Sequence, residues 1–400
     1  APEVTTIPRR QLFLLFATVF LMMLGFGVII PVLPFFARDL GASPFHLGLM
    51  VSVWALAQLL CAPLWGAFSD RAGRKPALML GLGGFGVTFL LMGMARSVEA
   101  LLFARALGGV LSAACIPAAT AYVADVTDEK DRGQAMAFMG AAFTTGFIVG
   151  PALGGLLAPL GVRVPFLVAG ALGLAAGLQA HVILPETRKL VPLAGTRAGG
   201  PGDLLLAARS PGAVFFGLAF ANAFAASSMF TMLSFFLMDR FGGGTAEAGV
   251  TFTLLGVTIT VLQSLVVGRA IRRAGEFPVI QAGLVLAALG YLGIALAPSL
   301  GAFFGAVILA SAGMAFTKPP LIAALSRVTT LPQGATMGLL ASADSLGRVV
   351  GPLWAGFIFG STIAGPYYSA AAMLLVGLGA FRLFLAAPSG KIPPAVTYNT

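Results

Sequence analysis

All but one of the 14 acidic residues in this 400-residue chain lie in polar segments or at their edges; the exception, Asp344, sits in the middle of an apolar stretch. Arg348 follows four residues later, which on a helix puts the guanidinium and the carboxylate on one face. A carboxylate in hydrocarbon surroundings, one turn from a cation, can take up and release a proton if both sides of a membrane reach it in turn. A static pair that only neutralises two buried charges is the other reading of the same residues. Two more cations interrupt apolar stretches: Arg105, and Lys318 just before Pro319 and Pro320, which are expected to break their helix and free backbone carbonyls. For both, snorkelling of the head group to a membrane surface is the alternative. Three embedded cations against one acid favour an anionic, zwitterionic or metal-chelated ligand over a simple organic cation. Asn222, Phe224, Phe230, Gln58 and Gln263, with Lys318, are the candidates for a large apolar cavity carrying a few amides.

The helix that must carry Asp344 has a duplicate. Gly133-Gln-Ala-Met136 leading to Gly146, Gly150, Pro151 and Gly155 is repeated about 200 residues later as Gly334-Ala-Thr-Met337 leading to Gly347, Gly351, Pro352 and Gly356. Where the second copy has Asp344 and Arg348, the first has Phe143 and Phe147. A weaker echo at the same offset links Gly66 to Arg74 with Gly268 to Glu276. The chain therefore reads as a duplicated half.

Composition names the solvent. Hydrophobic residues make up 58% and charged residues 10%, mean hydropathy is +0.97, and apolar runs of about 20 residues recur throughout. Twelve spans are expected, near 11–36, 46–66, 76–95, 99–122, 134–158, 164–184, 213–237, 247–268, 277–297, 301–325, 335–359 and 366–387. Frequent glycine and alanine suit close helix packing in lipid, and no alternating ten-residue segments suggest a β-barrel. With a cytoplasmic N-terminus, the outer loops hold only Arg38, Arg96, Arg163 and Arg240, and the remaining loop cations lie inside. That bias places both termini in the cytoplasm and explains the net charge of +10 through topology and anionic lipid; nucleic acid is not implied. Residues 191–212 read as a cytoplasmic linker and 388–400 as a short tail. Cys61 and Cys115 fall inside spans and imply no disulfide. His46 and His181 fall at opposite faces, so neither a metal site nor a membrane-embedded enzyme is expected. No phosphate-cradling G-x-x-x-x-G-K-S/T is present, and no cofactor is expected.

Four segments resemble the major facilitator superfamily, and the resemblance runs over essentially the whole chain. Gly66, Asp70, Arg71, Gly73, Arg74 and Lys75 match its G-x-x-x-D-R-x-G-R-R/K loop. The resemblance gives that loop the sense of a cytoplasmic gate, in which Asp70 meets the N-terminal end of the eleventh helix near Gln333 and the basic residues pair with acids such as Asp125. Arg105-Ala-Leu-Gly108-Gly109 is similar to the family's fourth-span pattern, and Gly146, Gly150, Pro151, Gly154 and Gly155 to its antiporter motif. Gly25, Gly27, Pro31 and Pro34 in the first span look like those of twelve-span drug:proton antiporters.

The resemblance implies an all-α membrane protein of twelve transmembrane helices in two pseudo-symmetric six-helix bundles: 1–190, then the linker 191–212, then 213–400 with its tail. It implies a monomer in the bacterial inner membrane that exports amphipathic drugs, tetracycline-like or multidrug, in exchange for protons by alternating access. Asp344, Arg348 and Arg105 would serve the proton. Export of an anionic or zwitterionic metabolite, lipid or siderophore is the rival.

Overall fold

The computed structural model describes residues 9–187, 212–329 and 333–386, and among them every regular element is helical. In chain order these are α1 (Arg9–Ile29), α2 (Leu33–Asp39), α3 (Pro44–Ala72), α4 (Arg74–Met94), α5 (Val98–Ser112), α6 (Cys115–Val126), α7 (Glu129–Leu157) and α8 (Val164–Ile183). After the second segment begins come α9 (Ala213–Phe241), α10 (Thr245–Leu262), a π-helical turn (Gln263–Val267), α11 (Gly268–Ala274), α12 (Glu276–Leu296), α13 (Leu300–Val328), α14 (Gln333–Phe359) and α15 (Gly365–Ala386). Apart from Gly212, the expected linker lies outside the described residues, as does the tail 388–400.

Among the described residues, ten helices are long and apolar enough to cross a membrane, and α1 with α2, bent by 45°, makes an eleventh when the pair is taken as one span. The expected span absent from that set is 335–359, where Asp344 and Arg348 lower the hydropathy of α14, a helix of 27 residues. The first span differs from the uninterrupted helix expected over 11–36. Pro31, lacking an N–H, stands between α1 and α2, and α2 starts with proline in its first turn. The fourth span is divided at Ala113–Ala114, because Pro117 cannot bond to the carbonyl four residues back. Proline has the opposite outcome in α13. Contrary to expectation, Pro319 and Pro320 lie inside a continuous helix; membrane helices tolerate the lost bonds where neighbouring groups re-satisfy the backbone.

The helices gather into two compact units, Ala1–Ala194 with Thr231–Gly256, and Gly195–Phe230 with Val257–Thr400. Each has the same seam. In the first unit α7 lies against α1 so closely that a Cβ added at Gly150 would come 2.6 Å from the Cα of Gly27, and one at Gly154 would come 2.0 Å from the Val28 carbonyl oxygen. In the second, a Cβ at Gly347 would be 2.6 Å from the Phe220 carbonyl oxygen and one at Gly351 2.6 Å from that of Phe224. Only glycine lets the backbones approach this far. Ser227 and Ser228 Oγ then donate to the carbonyls of Gly347 (3.1 Å) and Gly351 (3.0 Å).

The weaker echo is intact in geometry. Gly73 (φ 111°) and Gly275 (φ 81°) make the same left-handed turn, which favours glycine because a Cβ clashes there. The residues that follow, Arg74 and Glu276, pair with Asp125 and Arg327 at 3.0 Å each. Both echoes thus carry an ion pair between helices at the same place, its polarity reversed, and Arg74 adds a second to Asp70. The serine caps repeat too: Ser97 Oγ accepts from the Ala100 N–H and Ser299 Oγ from the Ala302 N–H.

Candidate functional site

Asp344, the one acid buried in an apolar stretch, is the centre of a three-charge cluster in the second unit. Its Oδ1 accepts from Lys318 Nζ at 3.0 Å, and its Oδ2 accepts from Arg348 Nη2 one turn along α14. The carboxylate is 15% exposed, while the Lys318 and Arg348 side chains are 47% and 55% exposed. The acid is therefore the most enclosed of the three, and the two cationic side chains are about half exposed. They open into a cavity of about 300 Å³ walled by Ala219, Leu321, Ile322, Met337 and Leu340, with Asn222 as its amide. With one acid between two cations the cluster is left with an excess of positive charge. The pairing of Lys318 with Asp344 was not legible from the chain; depth in two different spans was the only signal.

Of the other cavity candidates, Asn222 joins this cluster and the rest do not line its cavity. Phe224 is buried at 4% exposure and its ring lies 6.1 Å from that of Phe220. Phe230 is half-buried, and Gln263 is on the π-helical turn. Gln58 belongs to the first unit, where its Nε2 donates to Ser112 Oγ at 3.4 Å.

Arg105 is a second kind of charge. Its side chain is buried, with 6% of the residue exposed, and it makes no ion pair among the described residues. The guanidinium lies over the Trp54 ring at 5.5 Å, while Nε is buried without a hydrogen-bond partner. Gly109, where a Cβ would meet the Trp54 carbonyl oxygen at 2.6 Å, allows α5 close enough to α3 for this contact. The indole face returns about 1–2 kcal/mol of cation–π attraction against an insertion cost of about 2.5–3.5 kcal/mol for arginine at mid-membrane.

At the loop motif, Arg74 is the hub. Its guanidinium donates to Asp70 (2.5 Å), Asp125 (3.0 Å) and Ser69 Oγ (3.2 Å), and its backbone N–H donates to Glu186 at 3.0 Å. Glu186, read from the chain only as a loop acid, is thereby part of this network. Asp70 is half-exposed and Arg71 is exposed. The antiporter motif has α1 on one side and α10 on the other: a Cβ at Gly249 would meet the Pro151 carbonyl oxygen at 2.8 Å, and one at Gly155 the Thr245 carbonyl oxygen at 3.0 Å. At the other end of this unit Arg38 pairs with Asp239 at 2.5 Å, a contact that sequence reasoning missed because the partners are 201 residues apart.

The described residues contain no cluster of three or more His, Cys, Asp or Glu able to hold a metal. His46 has a structural task, since its Nδ1 accepts from the Ser43 N–H while Ser43 Oγ caps the His46 N–H at the start of α3.

A family model described as Major Facilitator Superfamily matches residues 15–330 and, in a second match, 215–397. Multidrug resistance protein 2 of Bacillus subtilis is 33% identical over 375 residues, covering 92% of this chain and 93% of that protein. Quinolone resistance protein NorA of Staphylococcus aureus is 27% identical, covering 92% and 95%. Among solved structures, the human organic anion transporter MFSD10 (TETRAN) is 27% identical with a TM-score of 0.65, covering 95% of this chain and all of that one. A bacterial homolog of the human lysosomal transporter Spinster, at 19% identity and TM-score 0.78 over 99% of this chain and 100% of that one, shares the fold.

Proposed function

The chain belongs to the Major Facilitator Superfamily, a family of multi-pass membrane transporters and not of enzymes, and from that premise we propose that it exports amphipathic drugs in exchange for protons by alternating access. The observation that carries this reading is the likeness to Multidrug resistance protein 2 over 92% of the chain. The seat of the antiporter motif between α1 and α10 supports it, because a glycine-thinned, proline-bearing helix suits an interface that has to move.

In this reading Asp344 takes the proton, with Arg348 and Lys318 as its partners, and Arg105 supplies a fixed charge. The halves 1–190 and 213–400, joined through 191–212, are the rocking bundles. The network of Gly66, Asp70, Arg71, Gly73, Arg74 and Asp125 is the cytoplasmic gate. Asn222 and Lys318, with Gln58, Phe224, Phe230 and Gln263 elsewhere along the passage, meet the substrate. The protein works as a monomer in a bacterial cytoplasmic membrane; both termini lie in the cytoplasm, an orientation that the excess of basic residues in the inner loops supports.

The test is a proteoliposome with an imposed pH gradient, scoring proton flux on addition of a quinolone. Wild type is expected to release protons down the gradient and Asp344→Asn is not. Equal flux in the two removes Asp344 from the mechanism. Silence of the wild type toward every amphipathic drug tried removes drug export.

A further inference from the structure

The cluster at Asp344 has a composition that a plain proton relay does not need. One carboxylate serves two cations, each oxygen taking one, and these three are the titratable or charged residues that line the cavity. Each cation spends one donor on the acid; a lysine head has three and a guanidinium five, so most of the donor capacity of both is left. Both side chains are about half exposed, in a space whose other walls are apolar except for Asn222 and Thr317. Spare cationic donors of this kind in a membrane are satisfied by an anionic group on the ligand.

The acid narrows the class further. An anion alone would hold the proton more firmly on Asp344 and travel with it in the same direction, which is the opposite of exchange. A cation alone would compete with the proton as exchange demands, but would have to enter beside two like charges. A ligand with both charges satisfies both conditions. We infer that the Lys318–Asp344–Arg348 cavity binds zwitterionic amphiphiles, the carboxylate seated on the Lys318 and Arg348 heads and the ammonium on Asp344. Because each cation is one hydrogen bond from the acid, the two ligand charges must be only a few atoms apart, as in an α-amino acid with a large apolar side chain. Insertion then exchanges one Lys318–Asp344 contact for three, and every charge has a partner of opposite sign. The inference rests on the exchange reading for its sign, while the cavity supplies its chemistry.

Three probes on one scaffold test it by equilibrium binding to the full chain in detergent, with no gradient present: 2-naphthylalanine, its methyl ester and its N-acetyl derivative, which at about pH 6 are a zwitterion, a cation and an anion. The zwitterion is expected to bind best, with the ester at least about tenfold weaker, since it loses both carboxylate contacts and a single charge-assisted contact is already worth that much. Lys318→Gln and Arg348→Gln should erase the preference for the zwitterion over the ester, whereas Arg348→Lys, which keeps the charge, should retain most of it. Asp344→Asn should bring the zwitterion level with the N-acetyl anion. An ester that binds wild type as well as the zwitterion does overturns the inference, as does a preference that survives in both glutamine variants. An N-acetyl anion that outbinds the zwitterion on wild type overturns it too. The preference without proton flux in proteoliposomes would sink exchange and leave the ligand class standing; flux without the preference would do the reverse.

Discussion

Asp344→Asn should be more costly than the loss of one hydrogen-bonding group, because the carboxylate is shared by two cations on different helices. Breaking a fully buried pair costs about 3–5 kcal/mol, whereas an exposed pair is worth about 0–1 kcal/mol. Here the acid is 15% exposed and the cations about half, so the expectation falls between, at about 2 kcal/mol for Asp344→Asn. Lys318→Gln leaves Asp344 still paired with Arg348 and should cost about 1 kcal/mol. In the double variant the amides face each other and a single cation is left, as in Asp344→Asn with one charge fewer to bury. Its cost should be about 2 kcal/mol, short of the sum of the singles by about 1 kcal/mol. The assay is unfolding of the purified chain by dodecyl sulfate in mixed micelles, followed by tryptophan emission from the three indoles. Strict additivity of the two substitutions would refute the reasoning, since residues that do not touch add.

Other substitutions read other contacts. Gly154→Ala places a Cβ 2.0 Å from the Val28 carbonyl oxygen and should destabilise by about 1–3 kcal/mol in the same titration, whereas Gly133→Ala, with open space around it, should stay within about 0.5 kcal/mol of wild type. Trp54→Leu removes the ring under Arg105; a loss of about 1 kcal/mol in stability is expected, and Arg105→Leu in that background should cost less than in wild type. Arg74→Ala frees Asp70, Asp125 and Ser69 together, so it should cost more than Glu276→Gln, which breaks a single pair whose arginine is half-exposed; each can be ranked by the sulfate midpoint.

The membrane class and most spans were legible because lipid imposes long apolar runs, and the glycine seams on α7 and α14 were legible because the repeat preserved its glycines. Asp344 with Arg348 was legible for the same reason, a charge being conspicuous in hydrocarbon. What the chain hid was pairing across helices. Lys318 reaches Asp344 from another span, Trp54 lies under Arg105 from another, and Arg38 meets Asp239 from a distant part of the chain; none has a local spacing to announce it. Proline was ambiguous on its own. Pro31 and Pro117 coincide with breaks, while Pro319 and Pro320 are absorbed in a continuous helix, because surroundings that no local pattern encodes decide whether the freed carbonyls are satisfied.

The glycine seam on α14 does something besides packing. A helix turns by about 100° per residue, so a slip of one position would swing Asp344 about a quarter-turn away from Lys318. Gly347 and Gly351, pressed on α9 and stitched by Ser227 and Ser228, act as a key in a slot and set the azimuth of the whole rod. Its counterpart α7 is keyed the same way against α1, with phenyl rings at the equivalent bearing. Duplication could therefore replace rings by charges in one copy without the heading of that face being lost.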